Sequence, residues 1–407
     1  MAWQLLEHPL IGAAYLVNLG VRARRAAIGQ KRHRGDARRI VAACIDDCWD
    51  GTHYRASPGY FRQFWTRDLC FSAPALARLS PAHRSRTLGS LEWAIRQWRE
   101  HESHITTTIH FFDQPVDVFD YGVDCLPLLL AALHRLEART LLGEHREWLE
   151  AEVRHYLDEV TDPINGLVRD DRKFSAHRDT LVNRCNAYGN SMVALLAMIL
   201  ADLGWEVPAP IGRLAAEPQH ILMERFWDER GFFVDAHGDD RPSGEGNIWP
   251  FWTGVITDPS ILRQSLAMLE KRGYADPFPL KYEVRRRPEL EPFFVRHVMP
   301  DYQGATVWTS LGSMYLQLLN SVDAAQVAPE VAAYRDWIER DGTFWEVIDD
   351  ETGLEYDSTF MTQSDESMLW SAIFLDLLEH PTLPPPTMRA WPPAADASAY
   401  PAQHGGA

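Results

Sequence analysis

Apolar and polar positions along the chain fall into two recurring kinds of stretch. One kind is amphipathic with a charged outer face and covers 36–49, 81–99, 141–160, 218–226, 259–272 and 325–340. Asp36 to Trp49 shows the pattern, with Ile40, Val41, Cys44, Ile45 and Cys48 sharing one helical face. The other kind is apolar nearly all round, the mark of a helix buried on every side. It covers 72–79, 121–136, 190–203, 249–256, 307–319 and 366–378. In the first of these, Pro74 is expected in the opening turn, where its missing N–H costs nothing. Six outer-type and six inner-type segments alternate strictly, which predicts an all-α chain built as a double ring of helices. Strand patterning is confined to short hairpin-like pieces near Gly231 and Val347. No period is regular enough to be a sequence repeat.

Long polar, aromatic loops precede the inner-type segments, so the double ring would open them on one rim. They carry Tyr60 and Trp65; Asp120 and Tyr121; Arg184 and Asn186; Asn247 and Trp249; Tyr302 and Trp308; Glu346 and Gln363. A sugar offers an apolar ring face to an aromatic platform and hydroxyls to Asp, Asn, Arg and Gln, so this set suits a small saccharide in a pocket. Two loops set a carboxylate among rings. Between Gly59 and Leu76, Tyr60, Phe64 and Trp65 crowd Asp68; between Gly342 and Gly353, Phe344 and Trp345 precede Glu346. Lost hydration raises a carboxyl pKa, which suits a general acid near neutrality. A pair of such groups is what glycosidic hydrolysis uses, one to protonate the leaving oxygen and one to activate water. Asp68 reads equally well as a cap on the helix that follows it.

At these residues the chain resembles a clan of glycoside hydrolases. Phe-Trp-Thr-Arg-Asp-Leu (64–69) and Phe-Trp-Glu-Val-Ile-Asp-Asp-Glu-Thr-Gly (344–353) look like its acid and base segments. The clan includes neutral/alkaline invertases, mannosylglycerate and glucosylglycerate hydrolases, processing α-glucosidases and debranching-type glucosidases. The resemblance implies an (α/α)6 barrel of six inner and six outer helices. It also implies an inverting mechanism with Asp68 as general acid and Glu346 as general base. Tyr60, Phe64, Trp65, Arg67, Asp120, Tyr121, Asn186, Trp249, Trp308 and Gln363 are the expected substrate-binding residues. The chain departs from the invertase pattern at Asp301–Trp308, and at Gln363-Ser-Asp-Glu366, where a basic residue would follow Gln-Ser.

Two other functions compete. A sugar isomerase or epimerase would draw on His104, His110 or His177, none of which sits in a His-rich inner-helix motif; a non-catalytic saccharide-binding protein needs neither carboxylate. Other acids compete for the base role. Asp349, Asp350 and Glu351 look like turn chemistry, and Asp365 and Glu366 look like first-turn acids of the last helix. Glu283 lies in the basic loop 281–296, whose charges offer either a solvated rim or a seat for an anionic aglycone.

Composition narrows the remaining picture. A net charge of −17 over 407 residues argues against nucleic acid as a partner. Five cysteines without metal spacing read as reduced thiols of a cytoplasmic protein, and neither a metal nor another cofactor is expected. Leu10 to Val21 is too short to span a bilayer, which takes about 20 residues. It is expected to dock as a helix whose basic end, from Arg22 on, is solvated. The division expected is an N-terminal segment 1–35, a catalytic barrel 36–380 and an unpacked Pro- and Ala-rich tail 381–407. Nothing in the sequence fixes the oligomeric state.

Overall fold

A computed structural model describes residues 9–236, 238–358 and 362–389, with side chains from residue 16 onward. The principal helices are α1 (Pro9–Ile28), α2 (Ala37–Asp47), α3 (Thr66–Leu79), α4 (Pro81–Glu100), α5 (Cys125–Arg135), α6 (Arg146–Val160) and α7 (Ala187–Asp202). They continue with α8 (Pro218–Phe226), α9 (Trp249–Trp252), α10 (Pro259–Lys271), α11 (Thr309–Val322), α12 (Ala324–Asp341) and α13 (Ser371–Glu379). The fold is all-α, with sheet limited to two-residue strands.

Helix contacts close on themselves. α3 packs on α5, α5 on α7, α7 on α9, α9 on α11 and α11 on α13, and α13 returns to α3. The amphipathic helices lie outside this cycle: α4 on α3 and α5, α6 on α5, α8 on α7, α10 on α11, α12 on α11, and α2 on α12 and α13. The inner helices are apolar all round because each is covered on all sides; every residue of α7 from Ala187 to Leu200 is buried. Leu128, Leu129, Leu130 and Leu133 of α5 are fully buried too. Each is worth about 1.5–3 kcal/mol relative to exposure, so the closed cycle of inner helices forms the hydrophobic core.

Several boundaries differ from expectation. α3 begins at Thr66, so Pro74 lies inside the helix rather than in its first turn. Thr66 is fixed there by its N–H on the Thr107 carbonyl (3.0 Å) and its hydroxyl on the Thr106 carbonyl (2.6 Å). Burial of every residue from Thr66 to Leu76 outweighs the lost ladder bond. The 121–136 segment starts its helix only at Cys125, because Val123 N–H is engaged by the Ser175 carbonyl at 3.0 Å. The 249–256 segment is a single turn, stopped where Gly254 takes φ +73°. The 366–378 segment becomes helical at Ser371, so Asp365 and Glu366 are loop residues and not first-turn acids.

Short strands pin the loops of the rim. β1 (Phe64–Trp65) pairs with β2 (Thr108–Ile109), which pairs with β3 (Pro115–Val116). β4 (Trp227–Asp228) and β5 (Phe232–Phe233) form the hairpin expected around Gly231. β6 (Val307–Trp308) pairs with β7 (Val347–Ile348), and the hairpin-like piece expected at Val347 also turns back on its neighbour through the antiparallel Ile348–Glu355 bridge. The β1–β2–β3 sheet has no alternating pattern in sequence, since its strands are two residues long and wholly buried or nearly so.

The basic end of the N-terminal helix, expected to be solvated, is partly buried. Arg25, from the basic run, is buried, whereas Leu16, Val17 and Leu19 are exposed. No helix among the described residues is long and apolar enough to cross a membrane. Met388, in the stretch expected to be unpacked from Pro381, is buried with its N–H on the Trp252 carbonyl (3.0 Å), and Arg389 pairs with Asp202. Residues 390–407 lie outside the described part.

Candidate active site

The rim loops converge on a cavity of about 150 Å³. Asp68 and Glu346 both line it, reaching it from opposite ends of the chain because α3 and α13 are neighbours in the closed cycle. Asp68 sits in the first turn of α3, two residues beyond β1. Glu346 directly precedes β7, and Thr309 N–H and hydroxyl hold its carbonyl at 3.3 and 3.1 Å. Each carboxylate is thus carried by a backbone locked in a β-pair and a helix start.

Of the expected binding residues, Tyr60, Trp65, Arg67, Trp308 and Gln363 line the cavity with the two carboxylates. The other five do not. Phe64, alternating with Trp65 along β1, points into the core against Trp93 and Trp98. Asp120 faces Lys173 at 3.8 Å, and Tyr121 stacks on His104. Asn186 caps α7, accepting from Gly189 N–H at 2.8 Å. Trp249 is buried behind the wall against Phe71, His177 and Tyr188. These corrections share a cause: an aromatic or amide beside a rim loop is as useful for packing or capping as for a ligand.

The cavity also holds residues that pattern alone did not single out as binding groups. Asp179, Thr180 and Gln303 form one wall. Gln303 accepts from Thr180 N–H (2.8 Å) and hydroxyl (2.6 Å) and donates to Asp179 (3.0 Å). Tyr302 donates its hydroxyl to Glu346 Oε1. Phe61, Phe119, Met299, Met368 and Trp370 add apolar surface, and Asn18 reaches in from α1. Asp179 is a third carboxylate where sequence reading had found only two. The sole sequence signal for it was its place in a polar, aromatic-flanked loop.

Electrostatics sort these groups. Burial raises Asp68 to about 8; the adjacent Arg67 opposes the shift, and Asp179 and Asp124 add to it. Burial therefore outweighs the pull of Arg67. Arg67 is held as a fork on Asp124, Nε–Oδ2 at 2.8 Å and Nη2–Oδ1 at 3.2 Å, with Asp179 at 3.4 Å from Nη1. Its charge is largely spent on Asp124, itself fully buried and also bonded by Tyr188. Burial raises Asp179 to about 6, against the pull of Arg67 and Gln303.

Glu346 is pushed up by burial as well, and the charges of Asp365 and Asp68 add to the shift. They differ in what they accept. Glu346 takes hydrogen bonds from Tyr302 and from Asp365 N–H (3.2 Å), both of which favour the carboxylate. No hydrogen bond among the described residues favours the charged form of Asp68. Burial thus raises both carboxyls, and it raises Glu346 in spite of those two bonds.

Three polar atoms on this wall, Trp65 Nε1, His110 Nδ1 and Ser310 Oγ, are buried without a protein partner. Such groups are normally satisfied by something bound. His110 is lowered to about 4 by burial and His177 is lowered by burial beside Arg67 and Arg178, so both are neutral. His104 lies outside the cavity, paired with Asp117. The competing acids are engaged elsewhere: Glu283 with Arg178 (2.9 Å), Asp350 with Lys281 (2.7 Å), and Asp349 with its own turn at Thr352. The basic loop is internally paired, Arg286 with Glu291 and Arg287 with Asp235, Asp239 and Glu283, and does not face the cavity. Among the described residues no cluster of three His, Cys, Asp or Glu is arranged to hold a metal, and all five cysteines are free.

No family model matches the chain, and no curated protein matches it in sequence. Solved structures do match. A glycosidase variant in complex with glucose aligns at TM-score 0.58 and 15% identity, over 86% of this chain and 96% of its own. A rhamnosidase from Klebsiella oxytoca with rhamnose bound aligns at 0.59 and 14%, over 85% and 63%. A GH63 mannosylglycerate hydrolase from Thermus thermophilus, in complex with Tris and D-glycerate, aligns at 0.56 and 15%, over 84% and 100%. The chain shares the fold of these glycosidases, in line with the resemblance its motifs carry.

Proposed function

We propose that this chain is an inverting glycoside hydrolase on an (α/α)6 barrel, with Glu346 as the general base. The observation that carries this reading is the pair of buried carboxyls on one aromatic cavity, only one of which accepts hydrogen bonds. A sugar ring packed on Trp65, Trp308 or Trp370 leaves its hydroxyls to the unpartnered Trp65 Nε1, His110 Nδ1 and Ser310 Oγ. Glu346, ionised, takes a proton from water as that water attacks the anomeric carbon. The acid on the other side gives its proton to the leaving oxygen.

Asp68 is the proposed acid, since burial raises it to about 8 and no hydrogen bond among the described residues favours its charged form. Asp179 is the alternative, favoured by one observation. Burial raises its carboxyl to about 6, close to neutrality, and Arg67 Nη1 lies 3.4 Å from the carboxylate it would become. In that case Asp68, neutral below about 8, serves as a hydrogen-bond donor to a sugar hydroxyl.

The substrate is proposed to be a neutral glycoside. Arg67 is the sole Lys or Arg on the cavity wall among the described residues, and it is committed to Asp124. An anionic aglycone would also face Asp68, Asp179 and Glu346. The isomerase reading is not favoured, because both cavity histidines are held neutral by burial, and His110 at about 4 is too weak a base. Hydrolysis of a panel of neutral α-glucosides, α-mannosides and α-rhamnosides beside glycerate conjugates tests the reading. Turnover of a neutral member, lost in Glu346→Gln, is expected; no turnover of any member, or turnover kept in Glu346→Gln, rules it out.

A further inference from the structure

Three inward-facing positions of α1 point at the active site with helical spacing. Asn18 lines the cavity, Arg22 pairs with Asp357 at 2.6 Å, and Arg25 is buried at the end of the row. Positions i, i+4 and i+7 share one helix face. Leu16, Val17, Leu19, Arg24 and Ile28, off that row, are exposed, while Val21 beside it is buried. The face turned inward therefore carries three polar side chains beside Val21.

Arg25 is the centre of a network that ends at Glu346. Its Nη2 pairs with both Asp365 and Glu366, and its Nη1 approaches the Ser364 carbonyl at 3.4 Å. Its guanidinium lies 4.2 Å over the ring of Tyr60, a cavity residue. Asp365 is fully buried and also accepts from the Ser57 hydroxyl, from Tyr60 N–H at 2.6 Å and from Phe61 N–H at 3.1 Å. Gly59 leaves the room this needs: a Cβ there would collide with Asp365 Oδ1 and Arg25 Nη2. From Asp365 the connection to Glu346 is direct, by Asp365 N–H to Oε2 (3.2 Å) and Glu346 N–H to the Asp365 carbonyl (2.9 Å). A single arginine thus ties together α1, the Ser57–Phe61 loop, the Asp365 segment and the proposed base.

We propose that Arg25 is a positioning residue for Glu346, and that α1 is a working wall of the active site through Arg25 and Asn18. This rests on the reading of Glu346 as the base. Arg25 fixes the Asp365 main chain against the carboxylate and neutralises the Asp365 charge beside it. Without that cation the Asp365 carboxylate, whose charge raises Glu346, would stand uncompensated beside it. Asp68 faces it across the cavity, and the Tyr302 hydroxyl is the remaining donor. Arg62 also senses Asp365, but its side chain is tied to the Gly59 carbonyl and does not replace Arg25.

The test is the pH dependence of kcat/KM, whose acid limb reports ionisation of the base. Removing a cation next to Asp365 makes the surroundings of Glu346 more negative, which favours its protonated form and moves the limb to higher pH. For Arg25→Met the expected results are a limb raised by about one unit and a kcat loss that exceeds the change in KM. Arg25→Met/Asp365→Asn should return the limb toward its original position. A folded Arg25→Met with the parent profile overturns the proposal. Should Arg25→Met not fold, Asp365→Asn decides instead: deleting that charge with Arg25 kept must lower the limb, and an unmoved limb overturns the proposal. Glu346→Gln, assayed alongside, separates the two levels. If it is inactive while the Arg25 and Asp365 variants keep the parent profile, only the positioning role falls; if it keeps turnover, the base reading falls with it.

Discussion

Glu346 and Asp365 hold each other through their main chains, Glu346 N–H on the Asp365 carbonyl at 2.9 Å and Asp365 N–H on Glu346 Oε2 at 3.2 Å. The carboxylate is therefore aimed by backbone, which has less freedom than a side-chain partner, and Tyr302 fixes the other oxygen. A base held on both oxygens loses little orientation when water binds, which is the kind of preorganisation that hydrolysis by a positioned water requires.

Tyr302→Phe isolates one of those two donors. A hydrogen bond to a charged group is worth about 1.5–3 kcal/mol, so kcat/KM near pH 6 should fall roughly 10- to 100-fold. The hydroxyl lowers the Glu346 pKa, so its loss raises that pKa, and part of the activity should return as pH increases. Steady-state rates from pH 5 to 8 check this. A uniform loss at every pH would mean that Tyr302 acts on substrate binding and not on the base.

The identity of the acid is decided by leaving group. If Asp68 donates the proton, Asp68→Asn should lose about 10²–10⁴ on a glycoside with a poor leaving group and far less on a glycosyl fluoride, which needs little protonation. Asp179→Asn should then lose similarly on both. The reverse pattern assigns the acid to Asp179 and leaves Asp68 as a binding residue.

Both outcomes bear on how much the sequence disclosed. The alternation of apolar and amphipathic segments gave the helix order, because it depends only on which faces are buried. It also brought Asp68 and Glu346 to one rim. Individual side chains were less legible. Phe64 and Trp65 are neighbours, yet only Trp65 lines the cavity, a choice set by the β1–β2 pairing that no alternation in sequence announced. Asp179 and Arg25 were invisible for another reason: their meaning comes from partners 112 and 340 positions away in sequence, Arg67 and Asp365.

Asp68 carries a stability cost that is readable by pH. Its folded pKa is about 8 against an ordinary value of 3.8, so between those values the native state binds a proton that the unfolded chain has lost. Stability from this site is therefore lost as pH rises through that window and is at its lowest above about 8. Asp68→Asn does not titrate, so its melting temperature relative to the parent should rise from pH 4 to pH 9. Thermal unfolding at those two pH values measures it, and a difference that does not change with pH would mean that Asp68 is ionised in the folded protein throughout.

The stereochemical outcome tests the site as a whole. An inverting pair leaves space for a water between base and anomeric carbon, with the carboxyls roughly 6.5–9.5 Å apart, whereas a nucleophile needs about 5 Å. Glu346 already accepts hydrogen bonds on both oxygens, from Tyr302 and Asp365. That arrangement suits a base holding a water better than a nucleophile, which must surrender one oxygen to the sugar. Asp179, the third carboxylate of the cavity, is bonded to Gln303 and Arg67 and so is restrained in the same sense. An α-linked substrate should therefore release the β-anomer first, with the α-anomer growing in only as the sugar mutarotates. Proton NMR of the anomeric region during the first minutes of turnover follows this directly. An initial α-product, or a glycosyl group trapped on Glu346 or Asp179, would assign a retaining mechanism and name the nucleophile.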